Sequence, residues 1–361
     1  MKRFNRIFIW LFLVVLILFR YFFSRTVYDN GDIVRITATV YSDPVVYGNY
    51  QTFSAAGIKV YLPAFPEISY GDRVVLEGTV NDKKLENAKL ISLKPFAGFG
   101  SKIRKRLIDF YQNSLPQPMS GLMSGIILGS KNSLTSNFWN RVRDTGVAHV
   151  VVASGTNITF VVSFIFGLLT IWLPRRKAIP FVLLSIILYL YISGFDAPLV
   201  RAAIMSLFTF WSQVSGRITT GWRNLLLTAG LMLVIEPLWI TDIGFLLSFV
   251  STASIMLFNK KIESWLHRVP AFFRQDLSTT LSAQIGVAPI IFVTFGQFNI
   301  LSPLINVLVL WTVPLIMVFG TVGGVLGLVF PFIGKLILYV VYPLLWWFVR
   351  MVDLFGMIKL A

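Results

Sequence analysis

The rhythm of apolar positions along the chain changes twice, and each change predicts a different kind of element. Residues 7–19 form an unbroken apolar run, preceded by Lys2, Arg3 and Arg6 and closed by Arg20. No small-residue cleavage site follows Phe23, so the run reads as an uncleaved membrane anchor with its amino end in the cytoplasm. From Asp29 to Pro95 the period is two. Val34, Ile36, Ala38 and Val40 alternate with Arg35, Thr37 and Thr39, and Val74, Leu76, Gly78 and Val80 share one face in the same way. Each run follows a Gly-Asp pair, Gly31-Asp32 and Gly71-Asp72, which marks a turn into a strand. With residues 51–62 and 88–93 added, four or five short strands are expected, suited to a small closed or partly open barrel of OB type.

Beyond Pro95 the period becomes helical. In residues 99–115, Ile103, Leu107, Ile108 and Tyr111 make an apolar stripe opposite Lys102, Arg104, Lys105 and Arg106, and Pro116 and Pro118 end it. Residues 119–128 are apolar but short of the roughly 20 needed to cross a bilayer. Residues 134–144 repeat the helical pattern with Phe138, Trp139 and Val142. These segments read as amphipathic helices lying on the outer membrane surface. Membrane spans are expected at 146–173, 178–195, 197–214, 224–240, 243–258, 279–298 and 336–357. Pro303, Pro314 and the glycine-rich stretch 320–330 predict broken or re-entrant helices between the last two. Counting the anchor, about eight to ten spans are expected.

Composition agrees with this division. The chain is 56% hydrophobic and 13% charged, too apolar for an ordinary soluble domain. The fold class is a polytopic α-helical membrane protein with a small N-terminal extracytoplasmic all-β OB-like barrel. Its parts are an anchor (1–25), the β domain (26–98), interfacial helices (99–145) and a multi-span domain (146–361). Lys and Arg outnumber Asp and Glu by 32 to 16, and much of that excess falls in loops that the alternation of spans places inside: Arg175, Arg176 and Lys177; Arg217 and Arg223; Lys260, Lys261, Arg268 and Arg274. This obeys the positive-inside rule, so basicity alone does not establish a polyanionic partner. The absence of cysteine excludes disulfides, thiolate zinc sites and cysteine nucleophiles.

Candidate chemistry is sparse. The two histidines, His149 and His267, fall on opposite sides of the membrane, and neither HExxH nor a Walker A sequence occurs. His149 and Ser154 are five apart on one expected helix and do not face each other squarely. No enzymatic activity, cofactor or metal is therefore expected. Polar residues inside expected spans are costly in lipid and point to an aqueous path or to helix packing. His149, Ser154, Thr156, Asn157, Arg201, Ser248, Gln284, Gln297, Asn299 and Asn306 are the candidates for the path. Asp196 is the expected partner of Arg201, and an arginine reaching the outer interface is the alternative to one lining a pore. On the outer side, Lys131, Arg141 and Arg143 are candidate basic contacts, and Tyr41, Tyr47, Tyr50 and Phe53 candidate stacking platforms.

Four stretches carry a family resemblance. They are Leu128-Gly129-Ser130 through Phe138 and Arg143 to Thr145-Gly146, His149 and Ser154-Gly155; Pro198 to Met205; Asp242 to Phe249; and Phe295 to Asn306. In this order they resemble the motifs of the ComEC-type competence channels, which admit single-stranded DNA across the bacterial inner membrane. The family usually carries Leu-His after the Ser-Gly, where Thr156-Asn157 stands here, and an Asp where Ser130 stands. Many members also end in a metallo-β-lactamase-like nuclease domain, whose His-rich motifs do not occur before Ala361. The resemblance implies an inner-membrane pore module for single-stranded DNA, served by a separate DNA receptor, a nuclease and a cytoplasmic ATP-driven motor. Two other readings stay open: a transporter of a lipid-linked or small-molecule substrate with the barrel as scaffold, and a structural anchor for an assembly.

Overall fold

The structure, a computed structural model, describes residues 13–23, 30–40, 44–47, 49–55, 57–82, 84–95, 98–152, 154–214, 220–296, 299 and 301–357. Tyr41 and Gln297, and the side chain of Tyr47, lie outside what is described.

The β domain holds six strands rather than four or five: β1 (Ile33–Thr39), β2 (Val45–Tyr47), β3 (Tyr50–Ala55), β4 (Ile58–Pro63), β5 (Arg73–Asn81) and β6 (Lys84–Lys94). Their order is β1-β5-β6-β4-β3-β2, antiparallel throughout except that β4 and β6 run parallel. The two outermost strands are consecutive in the chain, so the short link between Thr39 and Val45 requires the sheet to curl until its edges approach. Alternation sends Ile36, Val60, Leu62, Val74, Leu76 and Leu85 into one apolar core. The Gly-Asp turns close it: Gly71 takes φ +91°, its N–H bonds Val40 O, and the Asp72 carboxylate accepts from Ser69 N–H at 2.8 Å.

The helical part comprises α1 (Leu13–Phe23), α2 (Phe99–Ser114), α3 (Met119–Leu128), α4 (Ser136–Asp144), α5 (Ala148–Val151), α6 (Gly155–Trp172), α7 (Arg175–Ser193), α8 (Ala197–Val214), α9 (Gly221–Ile235), α10 (Ile243–Trp265), α11 (Ala271–Phe295), α12 (Ser302–Leu310), α13 (Val313–Gly327) and α14 (Pro331–Gly356). Among the described residues α7, α10, α11 and α14 are long and apolar enough to cross a membrane, and α12 with α13, bent by 44°, form a fifth candidate as one broken span. That is fewer than the expected count: α6, α8 and α9 fall short in length, and the first part of the expected anchor, residues 1–12, lies outside the described residues. The chain is a polytopic helical membrane protein carrying a small β domain.

The helices depart from the sequence pattern in two places. The first concerns α3, which is not interfacial. All ten of its residues are buried, and Leu122, Met123, Ile126 and Ile127 form the centre of a core with α2, α4, α5, α12, α13 and α14. A short apolar helix with no polar face has nowhere to lie at an interface and is stable only when covered on every side. The second is the expected span 146–173, which is not one helix. It is interrupted after α5, where Val152 is extended (φ −86°, ψ 143°), and restarts with Ser154 at the cap position of α6. A run of β-branched valines followed by Ser-Gly favours such an exit and fresh start.

Candidate functional site

The segment from α4 to α6 is held at both ends by the other motifs. At its start, Thr145 Oγ1 donates to Arg141 O (2.8 Å) and Val142 O (3.1 Å), closing α4. Gly146 turns left-handed at φ +76°, and a Cβ there would meet Ser302 Oγ at 2.5 Å, so only glycine permits the approach of α12. Asn299 Nδ2 donates to Asp144 O at 2.7 Å, while its Oδ1 accepts from Leu301 N–H at 2.8 Å. His149 is exposed on α5, with Nδ1 3.1 Å from Gly146 O.

At the other end, the start of α6 packs against α8. A Cβ on Gly155 would lie 2.7 Å from an Arg201 guanidinium nitrogen and 3.2 Å from Ala202 Cβ. Arg201 is half-buried between α6, α8 and α10. Its Nε donates to Ser248 Oγ, Nη1 lies 3.3 Å from Met205 Sδ, and the guanidinium sits 6.0 Å from the centre of the Phe249 ring. Among the described residues none of these partners is a carboxylate. Asp196, the expected partner, instead opens α8, its carbonyl accepting from Leu199 and Val200 N–H. The third motif is seated by Asp242, whose carboxylate caps α10 through Phe245 N–H at 2.7 Å, and Gly244 there lies against Pro198. Gly155, Arg201 and Ser248, from three separate stretches of chain, thus meet at one place.

The remaining pore candidates do not join them. Asn157 is fully buried and faces away: Nδ2 donates to Ile126 O at 2.8 Å and reaches Tyr189 Oη at 3.3 Å, and Oδ1 accepts from Ser154 Oγ at 3.2 Å. It caps the end of α3. Ser154 Oγ also shares a hydrogen bond with the exposed Thr156. Asn306 is 1% exposed within α12, its Oδ1 without a partner among the described residues. Gln284 lies partly buried on α11. Of the outer basic candidates, Arg141 forms an ion pair with Asp353 of α14 at 2.8 Å and braces α4. Arg143 is exposed and Lys131 partly buried.

On the β domain, Phe53 belongs to the core, because its position on β3 faces inward. Tyr50 is 45% exposed and Tyr61 36%, with ring centres 6.2 Å apart. Lys59 Nζ lies 5.4 Å from the centre of the Tyr61 ring, and Lys59 pairs in register with Lys84 of β6. Lys59 and Tyr61 were legible in the alternation of residues 58–63, which puts both on the outward face of β4. A cavity of about 380 Å³ opens beside them between residues 62–66 and 88–90, with Phe65 and Lys89 in its lining.

Known proteins resemble the chain over its helical part. Residues 126–361 match the family model described as "Competence protein". The chain is 27% identical over 226 residues to ComE operon protein 3 of Bacillus subtilis, covering 62% of this chain and 28% of that protein. It is 24% identical over 195 residues to Recombination protein 2 of Haemophilus influenzae (52% and 24%), and 27% over 150 residues to Competence protein ComA of Neisseria gonorrhoeae (38% and 21%). The aligned part spans less than a third of the length of each of these relatives. No solved structure matches the chain. The matched region takes in the α4 to α6 segment, the Arg201 cluster and the α12 clamp together, and on that match the chain belongs to the competence protein family.

Proposed function

We propose that this protein conducts single-stranded DNA through the bacterial cytoplasmic membrane during DNA uptake, with its β domain on the outer side. The observation that carries the reading is the meeting of Gly155, Arg201 and Ser248. A guanidinium whose described partners are a hydroxyl, a thioether and a ring keeps donors for an anion. The start of the 18-residue α6 beside it adds the positive end of a helix dipole, and both features favour a phosphodiester over a cation or an apolar solute. In this reading Arg141 and Asn157 are occupied within the protein and Asn306 is buried inside α12 away from the cluster, so the path narrows to Arg201, Ser248, Ser154 and Thr156, with His149 and Arg143 on the approach.

Capture belongs to the β domain in this reading. The strand order β1-β5-β6-β4-β3-β2 with the parallel β4–β6 pair supports reading it as an OB-type fold, in which β3 and β4 take the positions that bind oligonucleotides. Tyr50 and Tyr61 offer stacking surfaces, while Lys59, Lys84 and Lys89 offer phosphate contacts. A DNA receptor, a nuclease activity and a cytoplasmic motor act alongside it in this reading. The test is the full chain in nanodiscs titrated with a fluorescent oligothymidylate at several salt concentrations, paired with DNA uptake by cells carrying a deletion. Salt-sensitive binding and loss of uptake support the reading; salt-independent or absent binding together with normal uptake sinks it.

A further inference from the structure

Arg104 was expected on the polar face of α2, opposite the apolar stripe, yet it is 6% exposed and points into the protein. Its Nη1 donates to Leu128 O at the end of α3, and to Ile192 O and Ser193 O, each at 3.0 Å, at the end of α7. Carbonyls at a helix end lack intrahelical partners, and a buried cation that bonds two such ends at once joins them through strong, charge-assisted contacts. The next two carbonyls back along α3 are also taken by side chains from other helices. Tyr189 Oη of α7 donates to Ile127 O at 2.8 Å, and Asn157 Nδ2 of α6 to Ile126 O at 2.8 Å. The last turn of α3 is therefore the shared anchorage of α2, α6 and α7. Asn157 lies two residues beyond Gly155, the residue that abuts Arg201.

The outer face of the same joint belongs to the β domain. Tyr70, in the turn between β4 and β5, places its ring 5.6 Å from the Arg104 guanidinium carbon. That ring also lies 3.4 Å from where a Cβ would stand on Gly194, the residue that ends α7 at φ +115°. The turn is fixed to the barrel, since Gly71 N–H bonds Val40 O and Asp72 holds Ser69. An aromatic face over a guanidinium is attractive and directional, so a shift of the barrel moves the cation that ties two helix ends together.

We propose that Tyr70 and Arg104 are positioning residues through which the β domain sets the start of α6, and with it the placement of Gly155 against Arg201. The purpose of such a joint rests on the DNA path proposed for this protein, but its existence can be tested without DNA. Its physical content is that the barrel and the start of α6 are coupled through the end of α3.

Hydrogen exchange on the full chain in nanodiscs, without DNA, measures this directly. In Tyr70→Ala the amides of residues 155–159 are expected to exchange about tenfold faster or more, while those of β5 and β6 keep their protection. Tyr70→Phe, which keeps the ring, restores the native pattern. Arg104→Met removes the donor that joins the two helix ends, and exchange rises at the ends of α3 and α7 as well as at 155–159. Unchanged protection at 155–159 in Tyr70→Ala, or a loss spread evenly over the β strands, overturns the proposal. A protein that fails to bind oligonucleotide but shows the expected exchange pattern keeps the joint and loses only the DNA reading.

Discussion

At the scale of single residues, neighbours in the sequence have unlike duties, and substitution separates them. Asn157 and Gly155 are two positions apart, yet one is an internal cap and the other a spacer. Asn157→Ala leaves the Ile126 carbonyl buried without its donor, so stability falls by about 1–3 kcal/mol. Thermal unfolding in detergent measures this, and a change within about 0.5 kcal/mol would contradict the capping role. Gly155→Ala has a different expected signature. The added methyl meets the Arg201 guanidinium, the flexible end of a side chain, at 2.7 Å, and Ala202 at 3.2 Å. The arginine is displaced while the fold survives, so DNA uptake falls at least about tenfold with a stability loss of no more than about 1–3 kcal/mol. Uptake unchanged by Gly155→Ala would show that the placement of Arg201 has no bearing on transport.

At the scale of elements, the broken helix is the most informative. A bend at Trp311-Thr312 frees carbonyls inside a membrane domain, where an unpaired group is costly. The structure stitches them: Trp311 Nε1 and Trp347 Nε1 both donate to Leu308 O, at 2.9 and 2.8 Å, and Thr312 Oγ1 donates to Val309 O at 2.7 Å. Because either indole alone satisfies Leu308 O, Trp311→Phe and Trp347→Phe should combine non-additively. The double variant should lose about 0.5–3 kcal/mol more than the sum of the single losses, and strict additivity in unfolding measurements would refute the shared-acceptor account. The prolines and glycines of residues 303–330 made the break legible from sequence, as the hydropathy of residues 197–214 made α8 legible. The burial of α3 and the interruption after α5 were not legible. Apolar periodicity reports how much of a segment avoids water, not whether protein or lipid covers it, nor where a valine run leaves helical geometry. The candidate site was half legible for the same reason. Polar residues in apolar sequence marked Arg201 and Ser248, which meet, but they marked Asn157 and Asn306 equally, and only packing shows that Asn157 bonds the end of α3 and that Asn306 is buried within α12. Arg104 went unread because its neighbours Lys102, Lys105 and Arg106 are exposed, and periodicity assigned all four to one polar face.

At the scale of the whole molecule, the β domain and the Arg201 cluster are separate places on one proposed route, so capture and passage should fail independently. Tyr50, Tyr61 and Lys59 lie on the outward face of the barrel, and no bond among those described ties Arg201 to them. Tyr61→Ala removes a stacking surface and should weaken oligonucleotide binding by about 1–3 kcal/mol while leaving the salt dependence unchanged, since no phosphate contact is lost. Lys59→Ala does the reverse. It removes one phosphate contact, so the slope of log K against log salt should become shallower by about 0.7, with a smaller effect at high salt than at low. Arg201→Gln keeps both capture terms and should leave oligonucleotide affinity within about twofold, yet abolish uptake, because the donor lost lies between the helices and not on the barrel. Measured together on nanodisc-embedded protein and in cells, the three variants separate base stacking, backbone charge and passage. If Arg201→Gln weakens capture as strongly as Lys59→Ala, the two places act as one binding site and the division of labour between barrel and helices is wrong.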